Sequence, residues 1–249
     1  MSEILVIGDS CKDIYIYGSC ERLCPDFPVP SFTPSHEKQN LGMAGNVYQN
    51  VVSLGERATL KTNNSTIEKT RYIDKKTNHM FLRVDSGEEK VRRITDLSTE
   101  LLKNYQLVVI SDYNKGFLAE EDIQLICENH DQVFIDTKKV LGDFCKKCSF
   151  IKINQEEYKN SLGYINKNSW APDKIIQTLA GKGCKLGDRY FPVEKVEIKD
   201  PCGAGDTFLA ALCVNFLKTK KIEEAIDYAN KCATIVVQKK GVTTVNELY

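Results

Sequence analysis

The apolar positions of this chain follow two different rhythms. Short runs rich in β-branched residues at 4–7, 107–111, 133–136 and 150–153 alternate with stretches of helical spacing at about 45–54, 97–104, 119–129 and 155–162. Continuous apolar strands separated by amphipathic helices predict a largely parallel sheet covered on both faces, and such sheets take ligands at the carboxyl ends of their strands. The second rhythm is polar–apolar alternation without helices between, at 14–17, 29–32, 71–73 and 81–84. It predicts a separate antiparallel sheet with one buried face. Two long helical patterns follow, 203–217 and 222 to about 239, separated by Lys218-Thr219-Lys220-Lys221.

With 249 residues and 42% apolar content, the chain can bury one substantial core, so a single domain over 1–249 is expected. Lys plus Arg and Asp plus Glu number 34 each. That balance gives no global positive field, so neither nucleic acid nor an anionic membrane is expected as a partner. No apolar run approaches the roughly 18 residues that span a bilayer, and Met1-Ser2-Glu3 lacks the basic and apolar regions of a signal peptide. A cytoplasmic protein is expected, and its ten cysteines read as reduced thiols. Cys145 and Cys148 have metal-ligand spacing, but no second pair accompanies them and no histidine follows His130, so zinc is not expected.

The chemistry concentrates in Asp200-Pro201-Cys202-Gly203-Ala204-Gly205-Asp206-Thr207-Phe208, at the start of a helical pattern. Free N–H groups at a helix N-terminus suit a phosphate, and Gly203 and Gly205 let the backbone come close. Asp206 is placed to accept the proton of an attacking hydroxyl. By itself the segment reads equally well as an ordinary helix start. The other end of the chain supplies matching parts: Gly8-Asp9 with Asp13 after an apolar strand, and Gly42-Met43-Ala44-Gly45-Asn46 before a helix. Carboxylates at a strand end can accept hydrogen bonds from the hydroxyls of a ligand, and Asn46 can both donate and accept. No Gly-x-x-x-x-Gly-Lys-Ser/Thr loop is present, so any phosphate cradle differs from a P-loop.

These segments, in this order, resemble the ribokinase-like carbohydrate kinase family, and within it look most like the heptose 7-phosphate kinases. Further support comes from Tyr15-Ile16-Tyr17-Gly18, Pro25-Asp26-Phe27-Pro28-Val29-Pro30, Ser111-Asp112-Tyr113-Asn114-Lys115-Gly116, Ile135-Asp136-Thr137-Lys138, Asn154-Gln155-Glu156-Glu157 and Tyr228-Ala229-Asn230. The resemblance implies an α/β three-layer sandwich with a mostly parallel central sheet. It also implies a small antiparallel β lid, drawn from about 13–35 and 68–86, that pairs two subunits as a homodimer. The implied activity is ATP- and magnesium-dependent phosphorylation of a sugar or sugar phosphate hydroxyl.

The resemblance further implies that Gly203, Ala204 and Gly205 cradle the phosphoryl group and that Asp206 is the base. Asp9, Asp13, Gly42, Gly45 and Asn46 would face the sugar. Lys69, Arg71 and Lys115, with Arg83 in reserve, would meet a phosphate on the acceptor. Lys138, Asn154, Thr178, Gly181, Lys182, Gly183 and Asn230 would line the nucleotide, with Asn154 and Glu157 near magnesium. The nucleotidyltransferase domain that follows the kinase in some heptose enzymes has no counterpart before Tyr249, so phosphorylation alone is expected.

Two departures stand out. The segment between Gly55 and Asp85 is shorter than in the heptose kinases by about one helix and one strand, and Met43 replaces the second glycine of a pair. A kinase with a neutral acceptor, or a binder of nucleotide or sugar phosphate without turnover, is therefore also open.

Overall fold

The computed structural model describes residues 4–239, 241 and 243–245. Its main sheet has eight strands. In chain order these are β1 (Ile4–Gly8), β4 (Ala58–Thr62), β7 (Leu107–Asp112), β8 (Val133–Thr137), β9 (Phe150–Asn154), β10 (Ile175–Thr178), β11 (Cys184–Leu186) and β12 (Arg189–Phe191). Across the sheet they run β12-β11-β10-β9-β8-β7-β1-β4. The six from β10 to β4 are parallel, and β11 and β12 form an antiparallel edge.

The strands read as continuous apolar runs because both faces are covered. Ile4, Val6, Leu107, Val109 and Phe134 face α1 (Ala44–Ser53), α7 (Ala204–Thr219) and α8 (Ile222–Val236). Leu5, Ile7, Val108, Ile110, Val133 and Ile135 face the other way. There they pack with residues of α2 (Thr99–Leu102), α3 (Glu120–Asn129), α5 (Leu162–Ile165) and α6 (Ala171–Lys174). This period-two division of one apolar run between two cores is what a doubly covered sheet requires. The remaining helix, α4 (Gln155–Asn160), follows β9 directly.

A second sheet carries β2 (Ser10–Leu23), β3 (Pro30–Met43), β5 (Ile67–Asp74) and β6 (Met80–Ser86), in the order β3-β2-β5-β6. The β2/β3 and β5/β6 pairs are antiparallel and β2/β5 is parallel. Both 14-residue strands outrun the alternating stretches that announced them. Residues 33–39 are exposed polar ribbon with no buried face to impose alternation. Only residues 63–66 connect β4 to β5, so β4 is the sheet edge and no helix intervenes, as the short middle segment implied. The three-residue β11 and β12 are too brief to leave a periodic signature.

Candidate functional site

The carboxyl ends of β1, β7, β8 and β9 meet the N-terminus of α7. Gly203 turns the chain there in the left-handed region, φ 78°, which glycine adopts without cost. The first bond accepted from the helix is Thr207 N–H to Gly203 O, 2.9 Å. The N–H groups of Gly205 and Asp206 therefore have no carbonyl within the helix. They open on a cavity of about 780 Å³ lined by Gly203, Ala204, Gly205 and Asp206 on one side, and by Lys152 and Asn154 on another. A Cβ at Gly205 would sit 3.0 Å from Lys152 Nζ, so an ammonium abuts this turn. Lys152 is buried and donates to Asp136 Oδ2 at 2.6 Å.

Asp206 is buried in the first turn of α7. Asn46 Nδ2 donates to its Oδ2 (2.9 Å) and the Tyr113 hydroxyl to its Oδ1 (2.8 Å). Asn46 is itself held, since Asn50 donates to both its Oδ1 and its backbone O, and Thr207 donates to Asn50 Oδ1. This buried polar network ties α1 to α7 and aims the carboxylate. Burial raises the Asp206 pKa above the ordinary carboxylate value, against the opposing pull of the Asn46 and Tyr113 bonds and of Lys152.

On the lid side, Arg71 Nη1 donates to Asp13 Oδ1 at 2.6 Å and lies 5.1 Å from the Tyr15 ring centroid. Burial works against the guanidinium charge, but Asp13 outweighs it and raises the Arg71 pKa. Gly42 lies on the neighbouring strand, paired with Cys11, where a Cβ would come 2.2 Å from Asp13 Oδ2, so only glycine leaves room for that carboxylate as it stands. At Gly45 a Cβ would meet Leu41 Cβ at 2.9 Å. Met43, between them, has φ 61° and ψ −134°. This glycine-like geometry costs a methionine on the order of 1–3 kcal/mol. Its sulfur is 3.6 Å from Lys69 Nζ.

Of the lid-side cations, Arg71 is paired with Asp13, Arg83 with Asp85 and Lys115 with Glu88, while Lys69 has no carboxylate within salt-bridge distance among the described residues. Asp9 is fully buried and accepts the N–H groups of Tyr113, Lys115 and Phe117. Its carboxylate thus organises the loop after β7 and is itself closed off from solvent. Burial raises its pKa as well.

On the cavity side, Lys138, Thr178, Gly181, Gly183 and Asn230 join Asn154 in the lining. Lys182 and Glu157 are not part of it; Lys182 instead uses its carbonyl to accept the Tyr190 hydroxyl. Asn230 donates to Phe191 O, tying α8 to β12. Asn154 caps α4 reciprocally with Glu157. Its Oδ1 accepts the Glu156 and Glu157 N–H groups, and Glu157 accepts the Asn154 backbone N–H and Nδ2. Lys138 pairs with Glu157; burial opposes its charge, but Asp136 and Glu157 raise its pKa overall.

Sequence reasoning gave no role to Tyr113, Lys152, Asp136, Asn50 or Thr207, although Tyr113, Asp136 and Thr207 lie within the motifs it used. Two of these carried a signal. Tyr113 follows a buried strand at its carboxyl end, and Lys152 interrupts the apolar run of β9 with a charge. Asn50 and Thr207 become visible only when α1 and α7 are brought together.

The sequence matches the pfkB family carbohydrate kinase over residues 59–248. It is 31% identical to the bifunctional protein HldE of a Nitratiruptor species, over 97% of this chain and 62% of that protein. To the HldE of Campylobacter curvus it is 33% identical, over 98% of this chain and 63% of that one. The chain thus spans rather less than two thirds of these relatives. The Nitratiruptor alignment is 291 positions long, so about fifty positions fall opposite gaps in this 249-residue chain. Among solved structures, the fold is shared with ribokinase from Thermotoga maritima (TM-score 0.72, 16% identity, 99% of this chain and 97% of that one). It is also shared with Arabidopsis thaliana ribokinase complexed with ribose and ATP (TM-score 0.70, 14% identity, 98% and 95%).

Proposed function

This chain belongs to the pfkB family of carbohydrate kinases, and from that premise we propose that it transfers the terminal phosphoryl group of ATP to a hydroxyl of a sugar or sugar phosphate, with heptose 7-phosphate the favoured acceptor. The observation that carries this reading is the Asp206 carboxylate. It is buried at the N-terminus of α7, beside unpaired N–H groups and between a nucleotide-sized cavity and the Asp13/Arg71 pair of the lid.

In the proposed reaction Asp206 accepts the proton as the acceptor hydroxyl attacks in line. The N–H groups of the Gly203-Ala204-Gly205 turn and the Lys152 ammonium stabilise charge on the transferring group. Asp13, Gly42, Gly45 and Asn46 shape the acceptor side, and Lys138, Asn154, Thr178, Gly181, Gly183 and Asn230 line the nucleotide.

Among the described residues no group of three or more His, Cys, Asp or Glu side chains is placed to hold a metal. Asn154 and Glu157 spend oxygens on each other, and Glu157 also on Lys138. With those oxygens engaged, Asn154 and Glu157 would hold magnesium through its water shell rather than directly. When bound, the ion neutralises charge on the phosphates.

The support for heptose 7-phosphate is the set of motifs, the HldE relatives, and Lys69 as a lid cation with no carboxylate partner among the described residues. One observation favours a neutral acceptor, as in ribokinase-like or nucleoside kinases: Arg71 is already neutralised by Asp13. We further propose a homodimer through the lid, because β6 presents Met80, Phe81, Leu82 and Val84 to solvent. A cytoplasmic site of action accords with the absence, among the described residues, of any helix long and apolar enough to cross a membrane.

The test is magnesium-dependent ADP release from ATP across neutral sugars, nucleosides and terminally phosphorylated sugars, with Asp206→Asn alongside. Release with heptose 7-phosphate that vanishes in the variant supports the leading reading, and release with a neutral acceptor alone supports the second. Binding of ATP without stimulation by any acceptor would leave a nucleotide-binding protein and end the kinase proposal.

A further inference from the structure

We infer that Tyr113 is a positioning residue for Asp206, fixing the direction of its carboxylate through a phenol that is itself pinned from three sides. The inference rests on Asp206 being the base of the proposed reaction.

A carboxylate held at one oxygen can still rotate about the bond that carries it. Asn46 holds Oδ2, and the second hold, on Oδ1, comes from the Tyr113 hydroxyl at 2.8 Å. Little in the loop after β7 leaves that hydroxyl free to wander. The Tyr113 N–H donates to Asp9 Oδ2 at 2.9 Å, the Lys115 and Phe117 N–H groups go to the same carboxylate, and the Asn114 N–H goes to Asp112 Oδ1 at 3.0 Å. The ring is flanked by two ammonium groups, Lys69 Nζ at 5.7 Å from its centroid and Lys138 Nζ at 5.2 Å. Tyr113 thus touches the base, the lid-side lysine and the cavity-side lysine together. Asp9, buried beneath, acts on the base through it.

A hydroxyl that donates to a carboxylate favours its ionised form. The other groups facing Asp206 are Cys11 of β2, Asn46 of α1, Asp136 of β8, Lys138 just beyond β8, and Lys152 of β9. The Tyr113 hydroxyl bonds none of these groups, only Asp206 itself, so a change in Asp206 titration in Tyr113→Phe reports the lost phenol.

The experiment compares wild type with Tyr113→Phe by two readouts. In the first, ADP release from magnesium-ATP with heptose 7-phosphate as acceptor is followed from acid to neutral pH. We expect kcat to fall roughly tenfold to a hundredfold, the KM for ATP to stay within about twofold, and the acid limb of kcat/KM to move to higher pH. In the second, proteins labelled with 13C in the aspartate carboxyl group are titrated by NMR, with the Asp206 resonance assigned by its loss in Asp206→Asn. It should titrate at higher pH in Tyr113→Phe, with the melting temperature of the variant close to that of wild type. An Asp206 resonance that titrates at the same pH in both proteins overturns the inference, whatever the turnover. A resonance that moves in a protein without turnover on any acceptor supports the positioning and sinks the kinase reading instead.

Discussion

Burial of Asp206 sets its proposed role as the base against stability at one residue. Its pKa is raised above the unfolded value, so between the two values the folded state keeps a proton that the unfolded state has released. Stability therefore falls as pH rises through that window, and above it the buried charge is a standing burden. Asp206→Asn removes the charge. We expect the variant to melt above wild type at neutral pH, the advantage shrinking as pH falls towards the unfolded aspartate value of about 4, while turnover drops by at least roughly a hundredfold. The Lys152 and Asp136 pair makes the opposite case. Both side chains are almost fully buried, at 6% and 2% exposure, so removing one partner costs the other its short bond and leaves Asp136 only the more distant Lys138, at 3.9 Å. Lys152→Met should lose about 3–5 kcal/mol in urea unfolding, and adding Asp136→Asn should restore a large part of it. Asp206 drew attention in the sequence because glycines and a carboxylate stand at a helix start, but only the order of that segment with Gly8-Asp9 and Gly42-Met43-Ala44-Gly45-Asn46 set it apart from an ordinary helix start. Tyr113 and Lys152 drew none, because their meaning depends on which strands lie side by side.

At the scale of elements, the hydrophobic rhythm carried the main sheet. Runs such as 107–111 divide their side chains between two cores, and nothing but a doubly covered strand does that in so few residues. The rhythm failed where a buried face is lacking or brief, in the exposed stretch of β3 and in β11 and β12. The junctions between elements hold the site together, and there the backbone decides. Gly42, at the end of β3, sits where any side chain would overlap Asp13. Gly42→Ala should turn the Asp13 carboxylate away from Arg71 and raise the acceptor KM about tenfold or more, for a stability loss of about 1–3 kcal/mol. The KM for ATP should be unchanged, because Gly42 does not line the nucleotide cavity. Steady-state kinetics with each substrate varied in turn separates the two.

The whole molecule presents a contrast between a closed core and an open second sheet. Along β6, Met80 is 48% and Leu82 55% exposed, and Leu23, Phe27 and Val29 near the ribbon tip are exposed too. Apolar surface of this kind, gathered on one sheet, marks an interaction face. If the lid pairs two copies, Leu82→Glu together with Phe81→Glu should shift sedimentation from dimer to monomer without changing the melting of the main domain. A wild-type protein that sediments as a monomer at every concentration would remove the dimer proposal.

One further consequence follows from the passage of β1 into β2, which are separated by Asp9 alone. The Asp9 carbonyl receives the Ala44 N–H at 3.0 Å just where β3 ends, and its carboxylate is bolted to the loop after β7. Both legs of the long ribbon are thus clamped at one point, and β5 braces one of them as far as Gly18. Only the overhang beyond Gly18 is built like a diving board, whose deflection grows with distance from the last support. The turn around Asp26 lies farthest from that support, while Asp13 and Gly42 stand on the first rungs, Asp13 held on both sides.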